Sequence, residues 1–354
     1  MALWGGVFII YSMVVNSYMI ANRFQENNGS KIFIHLTIVS IIYLVFHYLL
    51  NIFFGRWNID FVNNQPDLTF IAGTLRKMSP AFPHITKLFE GSSLSTIAWN
   101  LFILSWILYL LFRNKGIEKR IRNYCILGIS GSVLLAVSFI RVPLYSLFTL
   151  SPESNNYFLL IVYSFIFANP YPLLPYLSYG CFGALIGLMI YNNRRDLLKK
   201  IIIPTGALFL IFGITGMMHF DKTISKPDYF WYFKTNFELG FFLLMISTTY
   251  LFFENKPYIT EKLSVLKLFS RISLTIYMLE TLLSEIIRLV INPLIPGWNQ
   301  TINGCLLFGG FNILIWTGIV YFWKKKNFKY SLEYFLVILL RIPGKESTKM
   351  YFEK

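Results

Sequence analysis

Five ionisable side chains stand inside long apolar runs of this sequence: His47, Glu238, Glu280, Glu285 and Arg288, with Arg141, His219 and Asp221 at the ends of such runs. Taking a charge out of water is costly, so each is a candidate for proton transfer, substrate binding or charge pairing. Glu280 follows Tyr277 by three residues, which places both on one side of a helix. A carboxyl group shielded from water suits general acid or base work, and Glu280 and Tyr277 are the expected catalytic pair. Glu285 and Arg288 are also three apart and can lie side by side, either as an ion pair that locks helices together or as substrate ligands. Glu280 precedes Glu285 by five residues, so the two carboxyl groups point in different directions.

His47, His219, Glu238 and Arg141 read either as satisfied polar groups at span ends or as residues that close a site from one side. His84 lies in a long polar segment and is either a surface residue or a proton-transfer group. Other chemistries lack their motifs. The four histidines, His35, His47, His84 and His219, show no pairing at three or four residues, so no metal is expected. Cys125, Cys181 and Cys305 lie in or beside apolar runs and read as small buried hydrophobes. The sequence has neither a P-loop nor a Gly-x-Ser-x-Gly elbow.

The elements that position these residues follow from composition. Of 354 residues, 55% are hydrophobic, 18% aromatic and only 14% charged, and mean hydropathy is +0.55. Soluble domains carry about 25% charged residues, so a water-soluble globule is excluded and an all-α polytopic membrane bundle is expected. Nine runs are long enough to span: 1–22, 32–54, 94–112, 123–141, 171–191, 201–219, 236–253, 272–291 and 302–323. A tenth apolar piece, 157–168, ends at Asn169-Pro170 and is too short to span, so it reads as re-entrant or interfacial.

The net charge of +15 would suit nucleic acid in a soluble protein, but here the basic residues fill short loops and no nucleic-acid partner is expected. With nine spans, 23 Lys and Arg fall on one face and 8 on the other, with Arg288 inside a span. That asymmetry puts the C-terminus in the cytoplasm, the N-terminus outside and the chain in the cytoplasmic membrane as a multi-pass protein. Glu280 then sits near mid-depth, and His47, His219, Glu238, Glu285 and Arg288 sit toward the outer side. Residues 1–327 form the membrane domain, with an outer loop over 55–93, and 328–354 form an interfacial helix over 328–341 with a cytoplasmic tail. Gly180, Gly183, Ala184 and Gly187 predict close helix packing in the fifth span. The three prolines of 169–176 predict broken backbone bordering an outer vestibule.

Three stretches carry a family resemblance. Tyr171-Pro172-Leu173-Leu174-Pro175-Tyr176-Leu177 followed by Gly180, Gly183 and Gly187, then Ser270-Arg271-Ile272-Ser273-Leu274-Thr275-Ile276-Tyr277, then Phe328-Lys329-Tyr330-Ser331-Leu332-Glu333-Tyr334-Phe335 are similar to segments of multi-span membrane acyltransferases. The relatives in view are heparan-alpha-glucosaminide N-acetyltransferase and bacterial membrane acyltransferases. The resemblance implies transfer of an acetyl or other acyl group from cytosolic acyl-CoA, as donor substrate, to a hydroxyl or amine of an extracytoplasmic sugar or lipid-linked glycan. It implies basic inner loops, with Arg271 among them, that hold the phosphates of coenzyme A. Two departures stand out: the family's first span has no counterpart before Met1, and Glu280 stands where relatives carry a histidine after the span's Tyr. An acyl-histidine at that position is therefore excluded. A transporter or flippase, or a catalytically silent scaffold, would use the same polar groups differently.

Overall fold

The computed structural model describes residues 3–26, 29–55, 58–60, 65–67, 69–83, 91–144, 166, 171–222, 228–254, 256, 263–298 and 301–339. The chain is helical, as its composition requires. The main helices are α1 (Leu3–Gln25), α2 (Gly29–Leu49), α3 (Phe70–Lys77), α4 (Ser93–Phe112), α5 (Arg120–Val137), α6 (Leu173–Tyr191), α7 (Ile203–His219), α8 (Tyr229–Glu254), α9 (Ser264–Arg271), α10 (Ser273–Leu294), α11 (Ile302–Lys324) and α12 (Leu332–Leu339). Turns of π-helix at Leu50–Phe54 and Leu198–Ile202 lengthen the second and sixth spans.

Eight helices among the described residues are long and apolar enough to cross a membrane, which makes this a multi-pass membrane protein. The ninth expected span, 272–291, forms the 22-residue helix α10 but carries Glu280, Glu285 and Arg288, more charge than a simple apolar span. The 157–168 segment lies outside the described residues, apart from one helical residue at 166.

The chain divides into two compact units: Met1–His47 with Phe89–Asn255, and Tyr48–Leu88 with Lys256–Lys354. In the first unit α6 is the central helix. Buried residues make up 78% of its span, against 22% for the Arg195–His219 span. Glycines explain how neighbours reach α6. A Cβ on Gly183 would lie 2.6 Å from the Ile10 carbonyl oxygen of α1, one on Gly187 would collide with Ser17 and Val14, and one on Gly180 would collide with Asn100 of α4. Bare backbone at these positions permits the contact. α7 and α8 meet in the same way, through Gly206, Gly213 and Gly240.

Three local features differ from expectation. Helix α6 begins inside the proline-rich stretch, at Leu173, with Pro175 in its first turn. A first-turn residue has no intrahelical acceptor for its N–H, so proline costs nothing there. In the second unit, the expected outer loop contains a short antiparallel ribbon, Asn58–Asp60 with Gln65–Asp67, and helix α3. The buried Thr69 hydroxyl donates to the Gly55 carbonyl at 2.8 Å and ties this segment to the end of the second span. Leu268, Ile272, Val320 and Phe328 form a small core of this unit, so Phe328 is buried and the helix expected from 328 starts at Leu332.

Candidate functional site

The candidate residues fall into two groups. His47, Arg141, His219 and Glu238 belong to the first unit, and Arg271, Tyr277, Glu280, Glu285 and Arg288 to the second. His84 lies outside the described residues.

In the first unit, Glu238 is 1% exposed although it stands in a helix built for a membrane. Its Oε1 lies 3.5 Å from Lys234 Nζ, one turn earlier in α8, and has no hydrogen bond among the described residues. Across from it, α6 presents Tyr176 and Tyr179, both fully buried, with ring centroids 4.9 Å apart. Tyr179 donates to the Thr235 carbonyl oxygen at 2.7 Å. The Tyr176 hydroxyl has no hydrogen-bond partner among the described residues. A buried carboxylate, an ammonium and a phenol with an unused donor together can accept a proton and stabilise a developing oxyanion.

Arg141 is 4% exposed, and its guanidinium sits 5.0 Å from the centroid of Trp231. Lys234 Nζ is 5.4 Å from the same ring. Asp228 accepts the Trp231 N–H at 2.7 Å, which caps the start of α8. Arg141, Asp228, Trp231 and Thr235 line a cavity with room for about one water. Beside it, and sharing Tyr232, an open, mostly apolar groove of about 290 Å³ is lined by Leu135, Ala136, Leu208, Phe209 and Phe212, with Ser132 and Asn236. Its walls suit a hydrocarbon chain.

His47 is completely buried, and its Nδ1 is 2.7 Å from Ser92 Oγ. Ser92 is the N-cap of α4 in a full capping box: its Oγ accepts the Ser95 N–H, and Ser95 Oγ accepts the Ser92 N–H. One turn further on, the Thr96 hydroxyl donates to the Tyr171 carbonyl at 3.0 Å, and the Tyr171 ring lies 5.6 Å from Tyr176. His219, by contrast, is exposed and bonds back to the Thr215 carbonyl of its own helix.

In the second unit, Glu285 accepts from Arg288 Nε at 2.6 Å, as the spacing of three predicts, and pairs with Arg76 Nη1 at 3.4 Å. Arg288 also donates to the Arg76 carbonyl at 3.3 Å, so α3 is held to α10 by two guanidinium groups around one carboxylate. Glu280 accepts from the Ser284 hydroxyl at 3.1 Å, and Ser284 in turn accepts from Asn312 of α11 at 2.7 Å. Glu280 and Tyr277 are half-buried, and Arg271 is the last residue of α9. Among the described residues no cluster of three or more His, Cys, Asp or Glu could hold a metal ion.

Sequence reasoning missed Tyr176, Tyr179 and Ser92 as site residues. The two tyrosines are three apart in an apolar run, a pattern that packing alone explains, and Ser92 is separated from His47 by 45 residues. The Lys234 and Glu238 spacing of four was the one local signal available. The chain matches no known family model, no curated protein and no solved structure.

Proposed function

We propose that the chain is an acyltransferase of the cytoplasmic membrane, its C-terminus in the cytoplasm. It moves an acetyl or other acyl group from acyl-CoA to a hydroxyl or amine of an extracytoplasmic sugar or glycolipid. The observation that carries this reading is Glu238, a carboxyl group 1% exposed in an apolar span, 3.5 Å from Lys234 and one turn from the Thr235 carbonyl that Tyr179 holds. Acyl transfer to a hydroxyl needs a base for the acceptor proton and a donor for the oxyanion that forms as the carbonyl is attacked. Glu238 takes the proton, Tyr176 donates to the oxyanion, and the coenzyme A thiolate leaves when the C–S bond breaks. The apolar groove of 290 Å³ favours an acceptor with a hydrocarbon tail.

The test is transfer of labelled acetyl from acetyl-CoA to a glycolipid fraction in vesicles that hold the full chain. Wild type is expected to label the acceptor and Glu238→Gln to lower the rate at least a hundredfold. Equal rates would remove Glu238 from the chemistry, and an unlabelled acceptor with wild type would end the acyltransferase reading. The π-helical turn Leu198–Ile202 at the start of the sixth span favours one other reading, a transporter or flippase, because irregular helix turns recur at substrate paths. Movement of a glycolipid across those vesicles without acylation would establish it.

A further inference from the structure

We propose that Ser92 is a nucleophile, activated by His47, which carries the acyl group as an ester between donor and acceptor. This step rests on the acyl-transfer reading and adds a covalent intermediate to it. Its basis is the 2.7 Å approach of His47 Nδ1 to Ser92 Oγ, two residues brought together from different helices and both buried. A nucleophile and base within hydrogen-bond reach are the arrangement that covalent catalysis requires.

The capping role of Ser92 does not account for His47. The cap uses the hydroxyl oxygen as an acceptor for the Ser95 N–H, and the capping box is complete without a histidine. The hydroxyl proton is left over, and in the tautomer that carries its proton on Nε2 the imidazole Nδ1, 2.7 Å away, is the acceptor it meets. Position adds two things. Ser92 stands at the positive end of the 20-residue helix α4, where a developing oxyanion is stabilised. It is also linked to the turn that carries Glu238, through Thr96, the Tyr171 carbonyl, the rings of Tyr171, Tyr176 and Tyr179, and the Thr235 carbonyl.

The chemistry balances without an added reagent. Ser92 Oγ attacks the thioester carbonyl carbon while its proton passes to His47 Nδ1. The C–S bond breaks, coenzyme A leaves as the thiolate, the proton stays on His47, and an ester remains on Ser92. The acceptor hydroxyl then loses its proton to Glu238 and attacks the ester carbonyl. Ser92 Oγ leaves and takes its proton back from His47, and Glu238 releases the acceptor proton to water.

The test uses the full chain in vesicles, with a fluorophosphonate probe for reactive serines and, separately, labelled acetyl-CoA. Both labels are expected on the peptide that holds Ser92, the acetyl label removable by hydroxylamine. Ser92→Asn is expected to lose both labels while the protein stays folded, because Asn is an equally good N-cap. His47→Gln is expected to slow fluorophosphonate labelling at least tenfold. A wild-type chain unlabelled at Ser92, or glycolipid acylation that persists in Ser92→Asn, overturns the acyl-serine and leaves direct transfer with Glu238 standing. Fluorophosphonate labelling of Ser92 without any ester from acetyl-CoA supports the nucleophile and instead refutes coenzyme A as the donor.

Discussion

Tyr179 of α6 donates its phenolic proton to the backbone carbonyl of Thr235 in α8, 2.7 Å away, three residues before Glu238. The bond fixes the central helix of the first unit against the turn that carries the buried carboxylate. Replacing Tyr179 by Phe keeps the ring and deletes the bond. Expected is a loss of about 0.5–1.5 kcal/mol, read as a lower midpoint of thermal unfolding in detergent. Tyr179→Ala also empties a fully buried ring site and should cost about 3–5 kcal/mol. Equal melting of Tyr179→Phe and wild type would show that the helices are held without the bond.

Glycines of α6 and α11 should respond in opposite ways to alanine. A Cβ on Gly183 meets the Ile10 carbonyl at 2.6 Å, an atom of another helix that cannot rotate aside. Gly183→Ala is expected to destabilise by about 1–3 kcal/mol through overpacking. Cβ atoms at Gly310 and Gly318 meet nothing within 4 Å. Gly310→Ala should be neutral or stabilise by up to about 1 kcal/mol, since alanine is the better helix former. Thermal melts of the two variants side by side decide this, and similar losses at both positions would contradict the packing described for α6.

Lys234 and Glu238 form a pair whose halves cannot be removed independently without cost. The carboxylate side chain is 2% exposed and the lysine 26%. Lys234→Met leaves Glu238 buried without its neighbouring cation and should cost on the order of 2 kcal/mol, less than the breaking of a fully buried pair. Adding Glu238→Gln should recover part of that loss. A double-mutant cycle by chemical denaturation reads the coupling. Strict additivity would mean that another group neutralises Glu238.

The periodic spans and the nearest side-chain pairs of this chain are legible in its sequence, whereas contacts between distant segments are not. The spans follow from runs of apolar residues, and the Glu285 contact with Arg288 follows from their spacing of three. Arg76, the third member of that cluster, comes from 209 residues away, and nothing in its own surroundings marks it. The glycines of α6 announced close packing, but only the fold shows that Gly183 receives α1 and Gly180 receives α4. His47 stood out as a histidine in an apolar run, whereas Ser92 is one serine of several near a span start and gains meaning only from the tertiary contact. The proline-rich stretch suggested broken backbone because proline is read as a breaker, yet a first-turn Pro175 breaks no bond.

Glu333 ties the closing helix α12 to the start of α10. Its Oε1 accepts the backbone N–H groups of Leu274 and Thr275, at 2.6 and 3.1 Å, and Oε2 accepts the Thr275 hydroxyl. The N-terminal N–H groups of α10 have no carbonyl partner within their own helix, so a carboxylate from elsewhere in the chain stands in for an N-cap side chain. Thr275 Oγ1 also accepts the Leu332 N–H at 2.8 Å, which closes the connection from both sides. Glu333→Ala should therefore cost about 1–2 kcal/mol, at the upper end for an N-cap. Its local signature is faster hydrogen exchange at Leu274 and Thr275, with little change in the middle of α10. Glu333→Gln keeps an acceptor oxygen without the charge and should fall between. Unchanged exchange at Leu274 in Glu333→Ala would show that α12 does not cap α10.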